Sequence, residues 1–231
     1  MVKLHTIKIG NTNCFLLQGT GGSVLIDSGT PRNARKLLDA MNSLGLEPGD
    51  LKLIVLTHGH FDHFGSALEL KRATGASVAI QRRDRFLVAH GIVQIPPAQT
   101  LRGQLLRIVF LTLSWQIRLE PFEPDLALQE GDSLERFGVE AIVLETPGHS
   151  KGSISVHVPS LRAVFVGDLL INRDLLSEPV FAEDREALRA SIGRIRKLAP
   201  WDIYPAHGDR VEYKQLNEIL PGRYQLWWWL P

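Results

Sequence analysis

The chain has 231 residues, 44% of them hydrophobic and 22% charged, which suits one globular domain and argues against long disordered stretches. Its 26 Lys and Arg residues nearly balance 25 Asp and Glu residues, so nothing indicates a broad basic face for nucleic acid. The single cysteine, Cys14, excludes an internal disulfide and a Cys-rich zinc module, and its apolar neighbours predict a small core residue.

The predicted elements mix strands and helices in blocks. Short apolar, β-prone runs bounded by Gly, Pro and Asn predict strands at 3–9, 13–18, 23–27, 51–56, 77–80, 140–145, 153–158, 163–166 and 202–204. Helical spacing of apolar side chains predicts helices that start near residues 30 and 67 and helices at 82–90, 102–117, 183–198 and 213–220. Two β-rich portions with helices around them favour two sheets with helices on their outer faces.

Ligand-type side chains are concentrated in the hexapeptide His58-Gly-His60-Phe-Asp62-His63, between a predicted strand and a predicted helix. The pattern H-x-H-x-D-H is specific, and four such side chains in six residues can serve two metal ions if the turn splays them. His149, Asp168 and His207 each follow another apolar run. Because loops after strands gather at one edge of a sheet, we interpret these residues as parts of one metal site rather than as turn formers.

These motifs, together with Leu25-Ile-Asp-Ser-Gly29, resemble those of the metallo-β-lactamase superfamily in its dinuclear hydrolase branch, which includes glyoxalase II and lactonases. The resemblance implies an α+β fold, an αββα sandwich of two mixed sheets, as a single domain over residues 1–231. It implies that one ion is bound by His58, His60 and His149, a second by Asp62, His63 and His207, and that Asp168 bridges both. Imidazole and carboxylate ligands suit two divalent ions, zinc first, with iron or manganese as alternatives.

Two such ions can hold one hydroxide between them, and Asp62 can take its proton. We therefore expect a dinuclear metal-dependent hydrolase that uses a metal-bridging hydroxide on an ester, thioester or lactone bond, with a phosphodiester also open. Asp27 either accepts the free N–H of a ligand histidine or only forms a turn. Two alternatives stay open, a mononuclear iron persulfide dioxygenase and a non-catalytic metal-binding regulatory protein.

The segment at about 81–122 is unusually apolar and is expected to be a helical cap insertion that covers the site. An apolar pocket wall would suit an acyl or aromatic substrate, whereas the alternative is a helical pair packed on the core or a dimer interface. Trp115 in this segment is a candidate substrate-binding residue. Arg173, shortly after Asp168, is a second candidate because it could orient a carboxylate or phosphate, although a solvated arginine is the alternative.

The remaining expectations concern location and partners. The N-terminus lacks the apolar core of a signal peptide, and no run approaches the ~18–20 apolar residues of a membrane span, so we expect a cytoplasmic protein without a membrane partner. A small-molecule substrate and no nucleic acid are expected. Three adjacent tryptophans in the tail, residues 225–231, suggest a homodimer contact or a fold over the cap.

Overall fold

Two mixed β-sheets form the centre of the molecule in a computed structural model that describes residues 2–98 and 100–219. The tryptophan tail, and with it the hypothesis of a tail-mediated contact, lies outside the described residues. The first sheet runs in chain order, β1 (Lys3–Ile9), β2 (Thr12–Gln18), β3 (Ser23–Ile26), β4 (Leu51–Leu56), β5 (Ser77–Gln81) and β6 (Leu126–Leu128). Strands β1 to β3 pair antiparallel, and β3 to β6 pair parallel. The carboxyl ends of β3 and β4 therefore lie side by side.

The second sheet carries the other half of the chain. Its strands are β7 (Ile142–Glu145), β8 (Ile154–Val158), β9 (Ala163–Asn172), β10 (Leu176–Ser177), β11 (Asp202–Gly208) and β12 (Val211–Glu212). Their order is β12-β11-β9-β8-β7, with β10 also paired to β9. Strands β9 and β11 pair parallel, with register shifts on both sides of Pro205.

Helices cover the outer faces and the loops. They are α1 (Ala34–Ser43), α2 (Phe61–Phe64), α3 (Ala67–Thr74), α4 (Arg85–Ala89), α5 (Leu101–Leu113) and α6 (Arg185–Leu198), with short 3-10 turns at Pro48–Asp50, Ser114–Gln116, Glu135–Phe137, Pro159–Leu161 and Tyr213–Glu218. The part of the chain that the structure describes holds no helix of the length and apolar character needed to cross a membrane.

Alternating side chains of the strands separate the layers. Along β2, Phe15 and Leu17 face the second sheet, where Phe15 meets the Phe165 ring at a centroid distance of 4.9 Å. Cys14 and Leu16 point the other way, into the core beneath α1 and α3. A third core joins the second sheet to α6. Since successive side chains of a strand point to opposite faces, each sheet buries both of its faces. The layers follow the order helix, sheet, sheet, helix, which confirms the αββα sandwich.

Several element boundaries differ from those predicted. Strands β9 and β11 run on through Asp168 and His207, which were expected just past the strand ends. They continue because the two strands keep their parallel pairing beyond the bulge at Pro205, a residue that lacks an N–H for the ladder. The predicted helix at 213–220 is a 3-10 turn at Tyr213–Glu218, in which the side chains of Glu212 and Gln215 cap each other's backbone.

Helix α5 and the segment before it form a fourth, small core with the loop between β10 and α6. Ile95, Ala98, Val180 and Phe181 are buried there, and Phe110 of α5 packs against them. Side chains on the outer face of α5 remain exposed among the described residues. The role of segment 81–122 as a cap over substrate stays a prediction.

Candidate metal centre

The first cluster consists of His58, His60 and His149, all buried. His58 and His60 follow β4, and His149 lies in the turn after β7. The Nδ1 atom of His60 is 3.0 Å from Nε2 of His58 and 2.9 Å from Nε2 of His149. Three ring nitrogens from two distant chain segments thus converge on one point.

The second cluster consists of Asp62, His63 and His207. Asp62 and His63 lie on the single turn of α2, and His207 lies on β11. The Oδ2 atom of Asp62 is 3.4 Å from Nε2 of His207 and 3.9 Å from Nε2 of His63. This cluster combines one carboxylate with two imidazoles.

Asp168 stands between the two clusters. Its Oδ1 atom is 3.4 Å from Nε2 of His63 and 3.3 Å from Nε2 of His207, both in the second cluster. Its Oδ2 atom is 3.4 Å from Nε2 of His149 in the first cluster. The structure therefore brings all seven predicted ligand residues together, and the Asp168 carboxylate presents one oxygen to each cluster.

Four of the five histidines are held by a polar atom at Nδ1, which leaves Nε2 directed into the site. The contacts are His58 to Thr57 Oγ1 at 3.1 Å, His63 to Asp27 Oδ2 at 2.9 Å, His149 to the Phe181 carbonyl at 2.8 Å and His207 to the Asn11 carbonyl at 2.8 Å. Such outer contacts fix the tautomer and the ring orientation of a metal ligand.

Asp27 occupies the position that the sequence analysis proposed for a supporting carboxylate. It is buried after β3, where its backbone adopts a left-handed φ of 60°. One of its oxygens lies beside His63, and the other accepts the backbone N–H of Thr57 at 2.8 Å. The carboxylate thus ties the ends of the neighbouring strands β3 and β4 to the second cluster.

Asp84 supports the first cluster, and sequence reasoning missed it. Its Oδ2 atom accepts hydrogen bonds from the backbone N–H of Gly59 at 2.9 Å and from Ser150 Oγ at 2.6 Å, and its Oδ1 atom accepts the N–H of Gly152 at 2.7 Å. A Cβ atom at Gly152 would lie 2.4 Å from that Oδ1. Asp84 therefore joins the loop of His58 and His60 to the loop of His149. No local sequence motif indicates this role.

The two clusters differ in charge in the metal-free protein. Burial, reinforced by the neighbouring His149, lowers the pKa of His60 to about 3. Burial would also lower the pKa of His207, but the carboxylates of Asp168 and Asp62 outweigh it and raise that pKa to about 9. Burial raises the pKa of Asp62, yet His63 and His207 outweigh it and bring the value to about 2. The first cluster thus presents neutral imidazoles and the second an ionised carboxylate.

Unsatisfied buried atoms indicate that the site fits metal ions. Nε2 of His63 and Oδ1 of Asp168 are buried and make no hydrogen bond. Leaving such atoms unpaired is costly unless a ligand satisfies them. Nitrogen and oxygen donors of this kind suit divalent cations.

Both clusters open into one cavity of about 300 Å³. Its lining includes His60, Asp62, His149, Asp168 and His207 beside a largely apolar wall. Neither predicted substrate-binding residue belongs to the described lining. Arg173 contacts a lining residue, since its Nη2 donates to Asn11 Oδ1 at 3.4 Å, and Trp115 is 76% exposed on the 3-10 turn after α5. Their proposed roles stay predictions.

Comparison with known proteins agrees with this geometry. The sequence profile of the Metallo-beta-lactamase superfamily matches residues 7–207. The hydroxyacylglutathione hydrolase GloC of Haemophilus influenzae is 30% identical over 216 residues, which cover 90% of this chain and 91% of that protein. The acyl-coenzyme A thioesterase MBLAC2 of Homo sapiens is 28% identical over 179 residues, 71% of this chain and 60% of that protein.

A solved structure shares the whole architecture. The crystal structure of TTHA1623 in a di-iron-bound form superposes with a TM-score of 0.69 at 30% identity and covers 95% of this chain and 98% of that one. Two His/Asp clusters in an αββα sandwich, together with relatives named as hydrolases, indicate a metal-dependent hydrolase. The chain belongs to the metallo-beta-lactamase superfamily, which confirms the resemblance drawn from its motifs.

Proposed function

We propose that this chain is a dinuclear hydrolase of carboxylic esters or thioesters. The observation that carries the proposal is the placement of Asp168, whose two oxygens face two separate ligand clusters. In this proposal one ion is held by His58, His60 and His149, and a second by Asp62, His63 and His207. Zinc is the first candidate, and the di-iron form of a 30% identical structure makes iron the main rival.

When bound, two such ions supply a water-derived nucleophile at neutral pH and polarise the carbonyl oxygen of the substrate. The residues of the chain orient the reactants and assist proton transfer. Asp62 is the more accessible cluster carboxylate, with 18% of its side chain exposed against 2% for Asp168. It is ionised at neutral pH and belongs to the cavity lining, and in this proposal it is the acceptor of a proton from water that enters the cavity.

The printed functions of two relatives support an acyl bond as the target. One is named as a hydrolase of hydroxyacylglutathione and the other as a thioesterase of acyl-coenzyme A. Both names describe removal of an acyl group from a thiol-bearing carrier. A thioester is accordingly the first substrate class to assay, followed by esters and lactones.

The test combines metal content with turnover. Protein purified without chelator or affinity-tag metal should carry about two ions per chain and should hydrolyse thioesters or esters. Asp168→Asn should lose both properties, whereas the exposed Asp39→Asn should keep them. One iron per chain with oxygen uptake on a persulfide would replace the proposal by a sulfur dioxygenase. Two bound ions without turnover of any ester, thioester, lactone or phosphodiester would favour a non-catalytic metal-binding protein.

A further inference from the structure

We propose that the acyl group of the substrate is apolar and uncharged, so that the chain cleaves derivatives of aliphatic or aromatic monocarboxylic acids and rejects those of dicarboxylic or phosphorylated acids. This inference rests on the proposed function and names its substrate class. It comes from the chemistry of the wall of the cavity into which the two ligand clusters open.

One wall of the cavity is built from apolar side chains. Ile95 and Pro96 come from the segment before α5, Phe110 from α5 itself and Phe181 from the loop before α6. The rings of Phe110 and Phe181 meet edge to face at a centroid distance of 6.0 Å. Because transfer of apolar surface out of water is favourable, this wall stabilises a hydrocarbon group next to the clusters.

The described lining of the cavity contains no lysine or arginine. Its only carboxylates, those of Asp62 and Asp168, belong to the ligand clusters. The amide of Gln94, at the rim of the apolar wall, already donates to Glu183 Oε1 at 2.5 Å. A second anionic group that lay against the apolar wall, away from the ligand clusters, would therefore lose water without meeting a cationic side chain of the described lining, which is unfavourable.

Two arginines lie near the wall, and the structure engages both elsewhere. Nε of Arg107 donates to the carbonyl of Ile95 at 3.0 Å and so fastens the wall segment to α5. Nη2 of Arg173 donates at 3.4 Å to the side chain of Asn11, which is a residue of the cavity lining. Neither arginine belongs to the described lining, and each guanidinium already donates to an oxygen of the chain.

The wall is connected to the first cluster and to α5. The carbonyl of Phe181 holds the ring of His149 at 2.8 Å, and the N–H of Ala182 donates to the carbonyl of Pro97 at 3.1 Å. A Cβ atom at Gly103 of α5 would lie 2.8 Å from Cβ of Ala98, so the helix sits directly on this segment. The wall is thus joined by hydrogen bonds and by packing to a ligand histidine of the first cluster.

The test uses two acyl groups of equal length that differ in one terminal carboxylate. Hexanoyl and adipoyl thioesters of N-acetylcysteamine are compared on the metal-loaded protein, with the matching 4-nitrophenyl esters as a second pair. We expect kcat/KM for the hexanoyl substrates to exceed that for the adipoyl substrates by about 100-fold or more. Titration calorimetry with hexanoate and adipate gives a readout without turnover, and hexanoate should bind at least about ten times more tightly.

A cation placed in the wall should shift this preference. Phe110→Arg is expected to move the hexanoyl to adipoyl ratio by at least about tenfold toward adipoyl. Leu113→Arg adds the same charge on the exposed outer side of the same helix and should leave the ratio unchanged. If Phe110→Arg does not fold, the ratio of kcat/KM for hexanoyl and adipoyl substrates in the wild-type protein still tests the proposal.

The possible failures are distinguishable. Absence of turnover on every acyl substrate would contradict the proposed function, and the calorimetric comparison would still decide the acyl preference. Comparable cleavage of hexanoyl and adipoyl substrates would overturn the present inference while leaving the hydrolase intact. If that cleavage of adipoyl substrates disappeared in Arg173→Gln, the anion-binding role predicted for Arg173 from the sequence would take its place.

Discussion

The two ligand clusters share a carboxylate but are built differently. The first joins three imidazoles, and Asp84 supports it by binding the backbone of the two loops that carry them. The second contains the carboxylate of Asp62, and a buried carboxylate, Asp27, supports it by contacting the ligand ring of His63 itself. Carboxylates therefore contact the ligand rings of the second cluster from Asp62, Asp27 and Asp168, whereas among the described residues Asp168 alone contacts a ligand ring of the first.

This difference predicts two chemically distinct positions for metal ions. Carboxylate-rich positions favour harder cations, whereas a purely imidazole position suits zinc and its neighbours in the transition series. An ion in the first cluster depends more on the shared Asp168, since it has no carboxylate of its own. We expect the two positions to lose their ions at different chelator concentrations.

The largest effect should follow removal of the shared charge. In Asp168→Asn, both clusters lose their common oxygen ligand, and we expect kcat/KM to fall about a thousandfold, or ~4 kcal/mol of transition-state stabilisation. Metal analysis should show that the first cluster empties more completely than the second. A variant with normal turnover and normal metal content would refute the assignment of Asp168 as the shared ligand.

Variants of one cluster should separate the two positions. His60→Ala removes a ligand of the first cluster only, and His207→Ala removes one of the second only. Each should lose about one ion per chain and lower kcat/KM about 100-fold or more, ~3 kcal/mol. If both variants emptied both positions equally, the clusters would form one cooperative site, and the distinction between two metal positions would be wrong.

The supporting carboxylates allow a finer test. Asp27→Asn should weaken metal binding in the second cluster and Asp84→Asn in the first, each about 10–100-fold. Asparagine suits position 27 because it tolerates the left-handed backbone found there. Competition with a chelating dye measures both affinities, and Asp39→Asn is the exposed control. Equal losses at both positions in either variant would contradict a separate support for each cluster.

The smallest effect concerns the metal-free protein and pH. His207, with its pKa raised to about 9 by Asp168 and Asp62 against the effect of burial, adds stability that is complete below about pH 6.5 and is lost as pH rises through 9. His60, with its pKa lowered to about 3 by burial and His149, adds stability that is lost as pH falls from about 6.5 toward 3. Stability should therefore decline on both sides of about pH 6.5.

Thermal melts of chelator-treated protein at several pH values check this prediction. His60→Gln should reduce the loss of Tm at acid pH, and His207→Gln should reduce the loss of Tm at alkaline pH. Each change should amount to a few degrees, since ~1 kcal/mol shifts the Tm of a domain of this size by about 2–4 °C. If His60→Gln instead reduced the loss at alkaline pH, or His207→Gln the loss at acid pH, the charge difference assigned to the two clusters would be wrong.

Sequence reasoning predicted which side chains would converge, but not how each is placed. All seven ligand candidates meet in the structure because five of them follow β4 or β7, while the paired strands β9 and β11 themselves carry Asp168 and His207 to the same place. Asp84 was missed because it acts through backbone N–H groups of Gly59 and Gly152, which leave no pattern of side chains. Phe181 was missed because its two roles, a carbonyl for His149 and a ring in the wall, depend on tertiary contacts.

Proximity along the chain was a weaker guide. Arg173 follows Asp168 by only a few residues, yet it comes after the end of β9 and contacts the side chain of Asn11 without belonging to the described cavity lining itself. The extents of β9 and β11 depend on their pairing with each other, which neither sequence segment contains alone.

The reactivity of the buried thiol of Cys14 can be used to measure local opening of the first sheet. It is the single cysteine of the chain and is fully buried on β2, beneath the helices of the first sheet. Burial, and next the negative charge of Asp27, raise the pKa of this thiol well above its usual range. Since only an accessible thiolate reacts with alkylating reagents, the rate of Cys14 labelling should follow the opening of this sheet, without any introduced probe.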